Sequence, residues 1–241
     1  MAKPFLLINV NNTNTTFALA NRDRLLLLRR IPTAKVREVP FSPQRYRGIV
    51  LASVVPRVSK RLLRKLPESP LQVDAFCDLG IGVRYPKKRQ IGADRLANAV
   101  AVTELYGTPA IVVDFGTAVT FDIVNARREY VGGVIAPGLA AVTDYLYQRT
   151  ALLPRITLTE PSSIIGKSTV GAMRVGAVVG YRGLVKEILA ALQSQSGMRR
   201  AIVVATGGYG DLIARKVPGI QHVNPRLTLE GLRFIYVRNF S

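Results

Sequence analysis

The chain has 241 residues, 48% of them apolar, and a formal net charge of +19. This length and apolar content suit one large core or two ordinary ones and exclude a disordered segment. No apolar run reaches the roughly 18 residues of a bilayer span, and a single cysteine, Cys77, excludes an internal disulfide and argues against a cysteine-based metal site.

In chain order, "MAKPFLLINV" reads as a first strand over 5–10 and not as a signal peptide. The expected address is the cytoplasm, without membrane contact. Further strands are predicted at 15–20, 24–31 and 48–52, followed by helices at 57–66 and about 94–106. Strands at 110–114, 118–124 and 129–135 precede helices at 138–148 and 168–193. A strand at 201–205 and helices at 208–215 and near 228–239 complete the pattern. This alternation predicts an α/β fold with helices covering a mixed sheet. Basic residues such as Arg29, Arg30, Lys60, Arg61, Arg64 and Lys65 are scattered without interleaved aromatics. They read as a solvated face, on which nucleic-acid binding is incidental and not functional.

One device occurs twice. "INVNNTNTTFAL" (8–19) and "VVDFGTAVTFDIV" (112–124) each run from a strand through a turn of small or hydroxyl residues into a returning strand. Laying residue 9 on residue 114 pairs Val10 with Phe115, Asn12 with Thr117 and Thr15 with Thr120. Two halves that start alike suggest an internal duplication, with its break at "YGTPA" (106–110). In the second copy Gly116 clears space, Thr117 and Thr120 offer hydroxyls, and Asp114 can hold a cation beside a phosphate chain. An ordinary hairpin is the alternative. "IGKST" (165–169) lacks the upstream glycine of a phosphate-binding P-loop.

In "RYPKKRQIGADRLANAVAV" (84–102), Asp94 falls at or just inside a helix N-terminus. It is either a cap or a general base, with Arg95 beside it for an anionic substrate group. Small residues Gly171, Ala172, Gly176, Ala177 and Gly180 permit a close helix contact, within the domain or between subunits. "VVATGGYGDLIA" (203–214) ends a strand in a glycine pair that leaves room for a ring or a phosphate. His222, the sole histidine, has no partner spacing for zinc or a catalytic triad.

The order of "GADR", "DFGTAVTFD", "GGVIAPG", "RTALLPR", "IGKST", "ATGG" and "LTLEGL" resembles type III pantothenate kinase over residues 6–239. The resemblance implies duplicated ribonuclease H-like domains of the actin and sugar-kinase type, 1–108 and 109–241, with a cleft between them. It implies a homodimer that phosphorylates pantothenate with ATP and Mg²⁺, assisted by a monovalent cation, K⁺ or NH₄⁺. By that resemblance Asp94 is the proton acceptor. Tyr85, Gly92, Ala93, Arg95 and Thr169 bind the substrate, with Thr169 reaching it from the dimer interface. Asn9, Val10, Asn11, Asn12, Thr13, Asn14, Thr15, Thr16 and Thr117 contact ATP, and Asp114 holds the monovalent cation. The family's first motif is Asp-x-Gly-Asn-Thr, whereas this chain has Asn9-Val10-Asn11-Asn12-Thr13. Asn11 is expected to keep the turn by accepting a positive φ, and Asn9 removes a charge that helps hold Mg²⁺. The alternative is a catalytically weakened homologue acting as a binding or regulatory protein.

Overall fold

The computed structural model describes residues 3–240. β1 (Phe5–Val10) is buried along its whole length, as the apolar run Phe5–Ile8 suits a central strand, and it carries one polar residue, Asn9, inside with it. It pairs antiparallel with β2 (Asn14–Ala20), which pairs antiparallel with β3 (Leu25–Pro32). On its other side β1 runs parallel to β4 (Ile49–Ser53), and β4 runs parallel to β5 (Leu71–Gln72). The sheet order is β3-β2-β1-β4-β5. α1 (Pro56–Leu63) buries Val58 and Leu62 in the core formed with Leu6, Ile8, Val10, Phe17 and Leu51, and its Lys60 is exposed.

The short β6 (Gly82–Val83) leads towards α2 (Ala93–Tyr106). β7 (Ala110–Phe115) then repeats the role of β1. It pairs antiparallel with β8 (Ala118–Val124) and parallel with β10 (Ile202–Thr206), which runs parallel to β11 (His222–Val223). With β9 (Glu129–Pro137) the order is β9-β8-β7-β10-β11, the counterpart of the first sheet, and β6 pairs with the opening residues of β9. This repeated order establishes the duplicated α/β fold. α3 (Leu139–Arg149), α4 (Thr169–Gln193) and α5 (Gly210–Ala214) accompany the second sheet. Val178, Tyr181 and Val185 of α4 and Ile213 of α5 pack in one core with Ile111, Val113, Phe115 and Phe121. The Tyr181 hydroxyl donates to Pro137 O at 2.9 Å, tying α4 to the end of β9.

Contacts group the chain into two compact units. The first comprises Met1–Gly107, Arg127–Gly132 and Arg226–Ser241; the second comprises Thr108–Ala126 and Gly133–Pro225. Two segments beyond residue 108 therefore pack with the first unit. One contains α6 (Leu227–Phe240), which lies on α2 so closely that a Cβ on Gly231 would fall 1.9 Å from Ala97 O. Thr228 Oγ1 donates to Asn98 Oδ1 at 2.8 Å across the same contact. Among the described residues, no helix is long and apolar enough to cross a membrane.

Candidate active site

The turn joining β1 to β2 is fixed by backbone bonds. Asn11 N donates to Asn14 O at 3.1 Å, and Thr33 N, just beyond β3, donates to Thr13 O at 3.0 Å. Thr33 Oγ1 donates to Asn11 O at 2.6 Å and lies 3.0 Å from Thr15 Oγ1. Asn11 does not adopt a positive φ: among the described non-glycine residues only Arg128 does. The expected left-handed turn at residue 11 is thus corrected, because the Thr33 bonds hold the loop in an ordinary conformation. The side chains are left for other work. Asn9 is 6% exposed, and the Oδ1 atoms of Asn9 and Asn11 are buried without a hydrogen-bond partner. Asn12 and Thr13 are exposed at the tip.

The same unit carries Asp94. Gly92 caps α2 without a side-chain bond, Ala93 is the first helical residue, and Asp94 is the second. Asp94 is therefore not the cap. Its Oδ1 accepts from Arg95 N at 2.9 Å. A Cβ on Gly92 would lie 2.6 Å from that oxygen, so glycine leaves the carboxylate room to fold back over the helix end. Burial raises the Asp94 pKa above its ordinary 3.8, while the Arg95 N–H and the charge of Arg95 pull it down. Val54 links this helix end to the first hairpin. Its N–H donates to Val10 O at 3.1 Å, and its Cγ1 lies 3.5 Å from the position a Gly92 Cβ would take. The carboxylate accordingly stands near the C-terminal end of β1.

The side chain of the next residue, Arg95, lies beside two aromatic rings. The Tyr85 and Tyr130 centroids are 6.2 Å apart, and the Arg95 guanidinium carbon is 5.8 Å from the Tyr130 ring centroid. Gly132, with φ +129°, lies under Tyr85, whose Cε2 would be 3.6 Å from a Cβ there. Tyr130 and Gly132 escape a sequence reading because the pairing of β6 with β9 brings them to Tyr85 from over forty positions away.

In the second unit Asp114 is half-buried near the end of β7. Its Oδ1 would lie 2.6 Å from a Cβ on Gly207, which has φ +89° and so needs glycine on both counts. Gly138, the cap of α3, meets the turn just as closely: its Cβ would be 2.2 Å from Thr117 O. The N-terminus of α3 thus abuts the Gly116–Thr117 turn, where Thr117 is exposed. The two hairpins match with a one-residue difference. Asn9 faces Thr16 and Asp114 faces Thr120, so Thr120 corresponds to Thr16 and not to Thr15. The second turn is one residue shorter, and Thr15 is instead fully buried against Thr33. Thr169 is the first residue of α4 and is exposed, beside Ser168, whose Oγ accepts from Gly171 N at 3.1 Å.

Two hairpins of one design and a buried carboxylate at a helix N-terminus suit phosphoryl transfer to an alcohol, a reaction of positioning and charge management. The family of type III pantothenate kinase matches residues 5–191. The chain belongs to that family. A type III pantothenate kinase of Akkermansia muciniphila is 52% identical over 234 residues, covering 95% of this chain and 96% of the relative. Two solved structures share the fold. A Campylobacter jejuni chain bearing the Baf family name matches at TM-score 0.65 and 19% identity, covering 98% of each chain. An inorganic polyphosphate/ATP-glucomannokinase from Arthrobacter sp. strain KM matches at TM-score 0.50 and 12% identity, covering 98% of this chain and 99% of that one. Family membership makes this chain a kinase, and nothing in the fold or the relatives supports the binding-protein alternative.

Proposed function

We propose that this chain transfers the γ-phosphoryl group of ATP to the terminal hydroxyl of pantothenate, giving 4'-phosphopantothenate and ADP. The observation that carries this reading is the placing of Asp94. One unit sets a buried carboxylate of raised pKa near the end of the phosphate hairpin, and the adjacent Arg95 leads to Tyr130 and Tyr85. Asp94 accepts the hydroxyl proton as the oxygen attacks the γ-phosphorus; the new P–O bond forms as the bond to the β-phosphate oxygen breaks. The raised pKa brings the carboxylate closer to the working pH and makes it a better proton acceptor. Arg95 offers a cation to the pantothenate carboxylate, and Tyr85 over Gly132 shapes the wall for its apolar body.

Residues 9–16 and Thr117 contact ATP, and the N-terminus of α3 adds backbone dipole to the Thr117 turn. The orphaned Asn9 and Asn11 oxygens fit a polar ligand there. Asp114, half-buried against Gly207, is the carboxylate that would hold a monovalent cation. Among the described residues no three His, Cys, Asp or Glu side chains form a metal cluster. Mg²⁺ bound with the ATP phosphates would neutralise charge that develops on transfer. Exposed Thr169 suits a contact supplied to a second copy, in keeping with a cytoplasmic homodimer.

A coupled assay of ADP release with pantothenate, MgATP and KCl tests the reading. Pantothenate-dependent turnover is expected. No turnover at millimolar ATP in folded protein would overturn it, and rates indifferent to exchanging K⁺ for Na⁺ would remove the role given to Asp114.

A further inference from the structure

Tyr130, near the start of β9, is among the largest fully buried side chains of the protein. Its backbone is fixed by β6: Val83 pairs with Tyr130, and Arg84 N donates to Tyr130 O at 2.9 Å. The same parallel register brings Tyr85 alongside Gly132, where a Cβ would stand 3.6 Å from Tyr85 Cε2. A ring with no exposed surface makes no contact with a ligand arriving from solvent. What it does reach is Arg95, whose guanidinium carbon lies 5.8 Å from its centroid, and Tyr85, whose ring is 6.2 Å away at an interplanar angle of 57°. Both of these neighbours are only partly buried, so each has a side turned to solvent.

We propose that Tyr130 is a positioning residue for the pantothenate carboxylate: the face of its buried ring holds the Arg95 guanidinium ready to receive that group. An arginine side chain has more rotamer freedom than most, and a loose guanidinium surrenders that freedom only when its ligand binds. One already resting on a ring has surrendered much of it beforehand. The negative face of an aromatic ring attracts the cation without taking up its N–H donors, which are what a carboxylate binds. A carboxylate in place of Tyr130 would hold Arg95 as firmly, but it would occupy those donors and oppose the charge of the substrate. Burial of the ring excludes water from one side of the contact and strengthens it. The inference rests on the reading that Arg95 meets the pantothenate carboxylate, and it concerns affinity for that substrate and not the phosphoryl-transfer step.

The test is calorimetric titration of the full-length protein with pantothenate, beside steady-state kinetics, for substitutions at residue 130. Tyr130→Phe keeps the ring face and should hold the pantothenate Kd within about threefold of the parent. Tyr130→Leu removes the face. Its pantothenate Kd and KM should rise about five- to thirty-fold, the range of a desolvated cation–π contact, while the ATP KM and kcat stay within about threefold. Because Leu also leaves a space in the core, Tyr130→pentafluorophenylalanine keeps the shape and withdraws the negative face; its pantothenate Kd should rise at least about fivefold over that of the Phe variant. Circular dichroism confirms the fold of each protein. A Phe variant that loses as much as the fluorinated one would assign the effect to the hydroxyl and overturn the proposal. So would a folded fluorinated protein that binds pantothenate as tightly as the Phe variant, or a Leu variant that loses ATP affinity equally. A parent that neither binds nor phosphorylates pantothenate would instead overturn the function proposed above, and this inference with it.

Discussion

The packing of α6 on α2 makes a prediction with a definite sign. Gly231→Ala places a methyl carbon 1.9 Å from Ala97 O, where an ordinary carbon–oxygen contact is about 3.3 Å. The obstacle is backbone, so no flexible side chain can yield; one helix must move by more than about 1 Å. Overpacking of this kind costs about 3 kcal/mol, and the helix propensity of Ala over Gly returns about 1. The net loss of about 2 kcal/mol lowers Tm by about 4–8 °C in a chain of this size. Gly183, inside α4, has no atom within 4 Å of its would-be Cβ. The same substitution there gains propensity alone and should raise Tm by about 1–4 °C. Scanning calorimetry of the two variants beside the parent measures both. A Gly231→Ala protein that melts at or above the parent temperature would refute the close α2–α6 contact.

Other predictions follow from the same geometry. Gly207→Ala forces a side chain onto φ +89° against Asp114 Oδ1 and the Phe115 backbone, so its Tm should fall by several degrees, whereas Gly208→Ala, facing open space, should leave it nearly unchanged. Asp94 ionises at a cost in the folded state: its raised pKa means that stability falls as pH climbs from 3.8 through the folded value. Asp94→Asn should therefore raise Tm at pH 7, and the acid limb of kcat/KM in the parent should lie above pH 3.8; a limb at or below that value would contradict its burial. Glu160 shows the opposite linkage. Arg182 and Lys216 hold its pKa down to about 2, so its contribution is complete above pH 4.5 and is lost as pH falls towards 2. Because the Glu160 side chain is 41% exposed, solvent screening keeps the effect small. Glu160→Gln should flatten the melting curve's pH dependence in that window alone.

Much of the fold was legible because its signals are local. The apolar run of β1, the period of α2 and α4, and the glycine break before α3 each lie within one stretch of chain. β5, β6 and β11 were not legible, since strands of two residues carry no periodicity. The C-terminal α6 was visible as a helix, but its partner was not: the need for Gly231 arises from Ala97, distant in sequence. At the site, Asp94 stood out from its position at a helix start. Tyr130 and Thr33 did not, because each acts only after strand pairing brings it to a loop. The repeat itself misled in one detail, since an ungapped alignment conceals the extra residue of the first turn and pairs Thr120 with the wrong threonine.

The most direct test measures kcat and pantothenate affinity together for Asp94→Asn. General-base catalysis contributes about 10²–10⁴-fold to rate, and the amide keeps an oxygen able to accept from Arg95 N. The expected result is a kcat lowered at least about 100-fold with the pantothenate Kd within a few-fold of the parent. Turnover within about tenfold of the parent, in protein shown to be folded, would contradict the account.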